Sequence, residues 1–504
     1  MFGRRQRMAA TRTPRRKTRG IVQGECAVGT SVHREVRHHT IRASMRREGR
    51  TPCRIGPTPR VAPLRDRPET APPFGPATLV RTVILRDPVH GLVRFTAPED
   101  AIVVELLDTP EMQRLRRIRA LGLASLAFPG AEHSRFGHAV GAAHVMKRFL
   151  ARMDELEGVC PQAARMDPTD RAVALAAALL HDVGHGPLSH TFETLGGPKI
   201  RHETWTERLL RDPSTGIHRV LAARGDDFVD RVVGLVFGRH RLLHLARAVS
   251  GTFDVDRLDY LLRDAYMTGT RYGLLDIDWL LESLRLVPRD DGRGGDLAVD
   301  DEKGLAAVEG YFLARLAMYR QVYLHKAVRG AEMVLRSLVA RARALGDVPG
   351  PSALREWLSE GTLPLDGFLS LDDGVLATAI SAWASHGDPI LSDLARRFRD
   401  RRLFKSIPLE EDADPDAVRA VLSEAAERRG YEPRHYVAID RVEIGLLEGE
   451  ELPCVLRGSV RQELLDASQL LRELSSRPFV HHRAYAPADV RADVAGRVPG
   501  AIGL

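Results

Sequence analysis

Residues 178–192 read ALLHDVGHGPLSHTF, and the adjacent His181-Asp182 pair that closes this apolar run decides how the rest of the chain is read. Asp167 is a natural N-cap, Pro168 fits the first helical position, and residues 172–180 are apolar on every side. That combination predicts a buried helix rather than an amphipathic one, released at Gly184. An imidazole and a carboxylate at the end of such a helix are costly to bury unless a partner or a metal compensates. His and Asp together suit a hard or borderline divalent cation.

The chain of 504 residues is long enough for one large domain with an appendage, or for two domains. Its net charge of +7 is unevenly spread: residues 1–70 hold 18 Lys and Arg against 5 Asp and Glu, a surplus of +13 that leaves −6 for the remainder. Residues 1–75, rich in Arg, Pro, Thr and Gly, are expected to be a disordered basic tail that could meet a nucleic acid. Its arginines lack the helical or aromatic spacing of a reading surface. Cys26, Cys53, Cys160 and Cys454 form no CxxC pair, which suits a reducing compartment and argues against a structural zinc finger. No apolar run reaches the length of a membrane span and no secretory signal is visible, so a cytoplasmic protein without membrane contact is expected.

Along the chain, residues 82–95 give a short β-branched run, a turn at 88–91 and a second apolar run, and predict a hairpin. Residues 111–122, EMQRLRRIRALG, place Met112, Leu115, Ile118 and Leu121 at helical spacing. They carry Arg114, Arg116, Arg117 and Arg119, which read as a solvated face or an anion site. Residues 135–150 form a helix with His138 one turn in. Residues 253–264, FDVDRLDYLLRD, open a helix capped by Asp254, and residues 302–338 a long helix or helix pair. Residues 350–430, including DRRLFKSI, read as helical, and from about 435 short alternating runs predict a small antiparallel sheet. The fold class is mainly α: a helical bundle with a hairpin near its start and a C-terminal α+β region. Domains are expected at 80–340 and 341–504.

Three helices thus bring His138, His181-Asp182 and Asp256. Two imidazoles and two carboxylates leave coordination positions open for phosphate oxygen and water, the chemistry of phosphate ester or anhydride hydrolysis. His185, His190, Glu193, His202 and Glu203 crowd the next 20 or so positions, and histidines held by carboxylates supply groups that titrate near neutrality.

The pattern H…HD…D resembles the HD-domain phosphohydrolase superfamily. DPVHG, DTPEMQRLRRIRALG, FPGAEHSRFGHAVG, LLHDVGHGPLSH, RHE, DVDRLDYLLRD, YLHK and RRLFK occur in order over residues 80–410. They are similar to its deoxynucleoside triphosphate triphosphohydrolases, the branch that includes the SAM-and-HD-domain enzymes. The resemblance implies a divalent transition metal, iron, manganese or zinc, at His138, His181, Asp182 and Asp256, with magnesium as a second ion on the triphosphate. It implies proton handling by His185, Glu193, His202 and Glu203, with His190 toward the α-phosphate. Arg135, Tyr260, Asp264, Arg315 and Arg257, the last where the family usually has lysine, would line phosphates, sugar and base. Tyr323 would exclude a 2′-hydroxyl. Asp108, Gln113 and Arg116 match a dGTP or GTP activator site, and Lys326, Arg401 and Lys405 a second effector site, which implies a homo-oligomer. Gly137 and Ala120 depart from the family pattern.

The competing readings are an HD phosphohydrolase for another nucleotide or phosphate ester, and a nucleotide-sensing or nucleic-acid-binding protein that works through the basic tail.

Overall fold

Thr82–Asp87 (β1) and Gly91–Thr96 (β2) pair antiparallel, from Thr82 opposite Thr96 to Asp87 opposite Gly91, so that Val93 and Phe95 enter the core while the other face stays open. The turn between them is held by Asp87, whose Oδ1 accepts from the backbone of Val89 and His90 at 2.9 Å each. The computed structural model describes residues 81–158, 165–195, 201–288, 295–447 and 453–503. The basic tail over 1–75 lies outside them, as do Cys26, Cys53 and Cys160.

Three helices carry the HD pattern. Arg135–Glu157, the His138 helix, packs against Pro168–Leu180, the His181 helix, and against Val255–Thr268, the Asp256 helix. The His181 helix starts on a reciprocal cap: Asp167 Oδ1 accepts from Asp170 N at 2.6 Å, and Asp170 Oδ2 from Asp167 N at 3.0 Å. From Val173 to Leu180 its residues are buried all round, as an uninterrupted apolar run requires. Ala139, Ala142 and Ala143 are fully buried on the His138 helix, where small side chains let the neighbouring backbones approach.

The long segment after residue 300 is a helix pair, Asp301–Met318 and Lys326–Leu345, joined through a π turn at Tyr319–Tyr323 that turns phenol rings inward. Further strands form two sheets. Lys405–Pro408 (β5), Ala438–Ile444 (β6) and Phe479–Ala486 (β9) make an antiparallel sheet in the order β5-β9-β6. Leu284–Pro288 (β3), Gly295–Asp300 (β4), Cys454–Arg457 (β7) and Val460–Gln462 (β8) make a second one, in which β4 and β7 run parallel. The described residues, all of them within 76–504, pack as one unit. Its main core runs from Val93 to Tyr485, and a smaller core gathers Ile407, Leu422, Ala484 and Val498. No helix of the described residues is long and apolar enough to cross a membrane.

Several local expectations change. The helix expected over 111–122 stops early: Pro110–Arg114 is helical, Leu115–Arg117 a single 3-10 turn, and Ile118 is extended. The backbone there bonds instead to the start of the His138 helix, Arg135 N to Ile118 O at 2.9 Å and Ala120 N to His133 O at 3.0 Å. Its arginines divide: Arg116 and Arg117 are exposed, as a solvated face requires, but Arg114 is not. Arg114 is 2% exposed and donates to His185 O at 2.8 Å and to Leu371 O at 2.9 Å, while burial pulls its guanidinium down to about 9. DRRLFKSI is not helical: the Pro389–Arg399 helix ends before it, Arg401 turns left-handed at φ 56°, and Lys405 begins β5. The runs at 435 and 453 do not share a sheet, since β6 joins β9 and β7 joins β4. Strand β9, in the Ala-, Gly- and Pro-rich end, carries His481 and His482 in the middle of its sheet and shows no alternation.

Arg114→Met should leave the carbonyls of His185 and Leu371 without a donor and lower unfolding stability by about 2–4 kcal/mol, read by denaturant titration.

Candidate active site

Four donor atoms converge where the His138, His181 and Asp256 helices meet. His138 Nε2 lies 2.9 Å from Asp256 Oδ1, 3.3 Å from His181 Nε2 and 3.4 Å from Asp182 Oδ2. His181 Nε2 lies 3.4 Å from Asp182 Oδ2 and 3.5 Å from Asp256 Oδ1. Ligands bonded to a common ion at about 2.0–2.2 Å stand about 3.0–3.5 Å apart, so the spacing is that of a coordination shell. Both imidazoles also present the correct nitrogen. His138 Nδ1–H donates to Asp259 Oδ2 at 2.8 Å and His181 Nδ1–H to Ala178 O at 2.9 Å, which turns each Nε2 toward the centre. Burial opposes charge on both rings, but the surrounding carboxylates outweigh it. Asp182, Asp256 and Asp259 raise His138 well above the ordinary value, and Asp182 and Asp256 push His181 up to about 10. A metal-sized charge is what such a concentration of carboxylates calls for.

Behind His138 stands a support that the sequence reading placed on a helix face without a role. Asp259 is fully buried and accepts from His138, from His90 Nε2 at 2.7 Å, and from Arg263 Nε and Nη2 at 2.8 Å each. Arg263 Nη1 reaches Asp87 Oδ2 at 2.8 Å. The DPVHG turn thereby buttresses the centre. Glycine is required at 141, since a Cβ there would fall on Asp259 Oδ1 and Arg263 Nη2.

Beside the centre, His185, His190, Glu193 and His202 form a second group of four donors within 4.8 Å of one another. Glu193 Oε1 accepts from His190 Nδ1 at 3.1 Å and His202 Nδ1 at 3.0 Å; despite burial, these bonds hold its carboxyl well below the usual range. Glu203 Oε2 lies 3.4 Å from His202 Nδ1. His185 is fully buried and stacks on His202 at 3.9 Å, and among the described residues its nearest polar neighbour is Asp182. Burial, followed by the neighbouring Arg135, pushes it well below the ordinary value and keeps it neutral. Asp182 links the groups, with Oδ2 in the first and Oδ1 3.2 Å from His185 Nε2. The intervening loop is strained: Leu188 and Ser189 have φ of 58° and 57°. Asp373 Oδ1 clamps Leu188 N at 2.7 Å, and Arg135 Nε holds Ser189 Oγ at 2.8 Å while its Nη1 pairs with Asp182.

A cavity of about 450 Å³ opens on the centre and is lined by Arg135, His190, His202, Tyr260, Asp264 and Tyr323, among others. The rings of His138 and Tyr260 are 6.5 Å apart, and those of Tyr260 and Tyr323 6.2 Å. Tyr323 OH donates to Asp264 Oδ2 at 2.9 Å, and His133 Nε2 holds Asp264 Oδ1 at 3.0 Å.

Other expected residues lie elsewhere. Arg257 does not line the cavity; its guanidinium pairs with Asp254 Oδ2 at 2.9 Å and with Gly251 O. Arg315 is half-buried on the Asp301–Met318 helix and is also absent from the lining. Asp108, Gln113 and Arg116 sit toward the surface around the Pro110–Arg114 helix. There Arg116 Nε donates to Gln113 Oε1 at 2.8 Å and stacks over Phe136, and Asp108 pairs with Arg81. Lys326, Arg401 and Lys405 are exposed, with Arg401 Nε on Leu126 O at 2.7 Å.

Residues 135–261 match the family model of the HD domain and residues 275–503 that of the HD-associated region. The uncharacterized protein YwfO of Bacillus subtilis is 33% identical over 425 residues, covering 81% of this chain and 93% of its own length. The deoxynucleoside triphosphate triphosphohydrolase SAMHD1 of Bos taurus is 25% identical over 360 residues, 64% of this chain and 58% of that one. Among solved structures, a phosphohydrolase of Bacteroides thetaiotaomicron superposes with a TM-score of 0.70 at 26% identity, covering 81% of this chain and 100% of its own.

Because the metal-free centre holds protons on His138 and His181, metal uptake near neutral pH should release protons and strengthen as pH rises toward about 10. Calorimetry in buffers of different ionisation enthalpy reads this directly. Gly141→Ala should displace Asp259 and weaken metal binding roughly 10–100-fold with helical content retained, measured by metal titration and circular dichroism.

Proposed function

The chain belongs to the HD-domain family of phosphohydrolases, and from that premise we propose that it hydrolyses deoxynucleoside triphosphates to deoxynucleoside and inorganic triphosphate. The observation that carries this reading is one cavity that joins a four-donor centre to a set of phenols, of which Tyr323 is held by the Asp264 carboxylate. Phosphates and a 2′-deoxy sugar need those two environments side by side.

His138, His181, Asp182 and Asp256 would hold a divalent transition metal, iron, manganese or zinc, which supplies Lewis acidity toward phosphate oxygen and lowers the pKa of water. Arg135, fixed between Asp182 and Ser189, offers a guanidinium to the phosphates and to the charge that develops on them. A magnesium ion would accompany the triphosphate. His190 is the exposed member of the histidine cluster, with 68% of its side chain open. With Nδ1 held by Glu193, its Nε2 is free to protonate the departing 5′ oxygen as water attacks the α-phosphorus. His185, His202 and Glu203 complete the route by which that proton is replaced. Asp264 orients Tyr323, whose ring fills the space of a 2′-hydroxyl and so excludes ribonucleotides.

Asp108, Gln113 and Arg116, with Lys326, Arg401 and Lys405, lie on the surface away from the cavity, where dGTP or GTP would act as activator on a homo-oligomer. Arg257 and Arg315 would act on the substrate only if they left their present places.

Incubation of metal-loaded protein with each dNTP should yield inorganic triphosphate; pyrophosphate with a deoxynucleoside monophosphate would contradict the reading. Asp182→Ala should abolish hydrolysis with the fold retained. Tyr323→Ala should admit ribonucleotides, seen as turnover of, or competition by, ATP and GTP.

A further inference from the structure

Glu332 lines the same cavity yet belongs neither to the four-donor centre nor to the histidine cluster. It sits one turn after Val328 on the Lys326–Leu345 helix, and both residues face the cavity. Four carboxylates line this space, and three are committed. Asp182 and Asp256 stand in the centre, and both oxygens of Asp264 are taken by His133 and Tyr323. Glu332 differs. Its Oε2 pairs with Arg329 Nη1, its Oε1 has no hydrogen-bond partner among the described residues, and 13% of its side chain is exposed. Arg329 cannot swing into the cavity, because Asp440 of β6 grips its Nε and Nη2 at 2.7 and 2.6 Å. The charges around Glu332 are Arg329, Arg336 and Asp440, none of them part of the centre.

The covalent order of a nucleotide fixes what Glu332 meets. With the phosphates at the centre and the sugar against Tyr260 and Tyr323, the base would extend toward the wall that Val328 and Glu332 form on the helix following Tyr323. A carboxylate only accepts hydrogen bonds. Guanine is the one DNA base with two adjacent donors, N1–H and the 2-amino group. Adenine and cytosine set a ring-nitrogen acceptor beside their amino group, and thymine flanks its one N–H with two carbonyls that a carboxylate repels. We propose that Glu332 reads the nucleobase and makes dGTP the preferred substrate, its carboxylate accepting from N1–H and the 2-amino group of guanine. The assignment rests on the dNTP hydrolase reading and adds to it a base and a residue.

The test uses the full-length, metal-loaded protein with GTP held at a fixed concentration, so that any activation is common to all arms. kcat/KM is measured for dGTP, dATP, dCTP, dTTP and deoxyinosine triphosphate, which keeps N1–H but lacks the 2-amino group. The expected result is a preference for dGTP over dATP of about 10-fold or more, with deoxyinosine triphosphate between them. In E332A the ratio of dGTP to dATP should collapse toward one, and in E332Q it should fall part of the way. A wild-type protein that does not distinguish dGTP from dATP or from deoxyinosine triphosphate overturns the assignment, and that comparison needs no variant. So does an E332A protein that keeps the wild-type ratio. Hydrolysis of none of the dNTPs would overturn the hydrolase reading instead; calorimetric binding of dGTP, deoxyinosine triphosphate and dATP would then still decide the base preference.

Discussion

The structure depends on one buried carboxylate. Asp259 has no exposed surface, and an isolated charge there would cost several kcal/mol, yet four donors from His138, His90 and Arg263 converge on it. Its bond to His138 Nδ1 sets the tautomer that turns Nε2 toward Asp182, Asp256 and His181. Through Arg263 and Asp87 the same carboxylate ties the N-terminal hairpin to the Asp256 helix. Support of the centre and docking of the first two strands are therefore a single network, and the glycine at 141 is what lets it pass the His138 helix.

A second constraint comes from the other half of the chain. The strained turn at Leu188 and Ser189 is held by Asp373, while Arg114 joins the His185 carbonyl to that of Leu371. The histidine cluster thus takes its shape from residues nearly 200 positions away, consistent with a family region that extends from 275 to 503. Behind Glu332, Arg329 and Asp440 couple the Lys326–Leu345 helix to the antiparallel sheet. Both anchors lie outside the HD domain itself.

Much of this was legible in the sequence where the signal was local. The cap at Asp167, the apolar run that follows it and the spacing of His138, His181, Asp182 and Asp256 led to three helices that do meet, because each donor follows from one helix end or one helix face. The hairpin followed from two short apolar runs on either side of the turn at 88–91. What escaped was non-local. Ile118 leaves the helix because the start of the His138 helix offers its backbone a better partner, and β9 is central in its sheet, so its burial does not alternate. The tie of Asp259 to the DPVHG turn spans 169 positions and has no spacing signature. The same holds for Arg257, which the family pattern sends to substrate but whose guanidinium is bound to Asp254.

The central claim is that four side chains surround one cation and that the neighbouring histidines do not. Anomalous diffraction from crystals of the metal-loaded protein, collected at the edge of the bound metal, addresses it most directly. The account predicts one dominant peak within bonding distance of His138 Nε2, His181 Nε2, Asp182 Oδ2 and Asp256 Oδ1. A dominant peak among His185, His190, Glu193 and His202 instead, or none at the four donors, would contradict it.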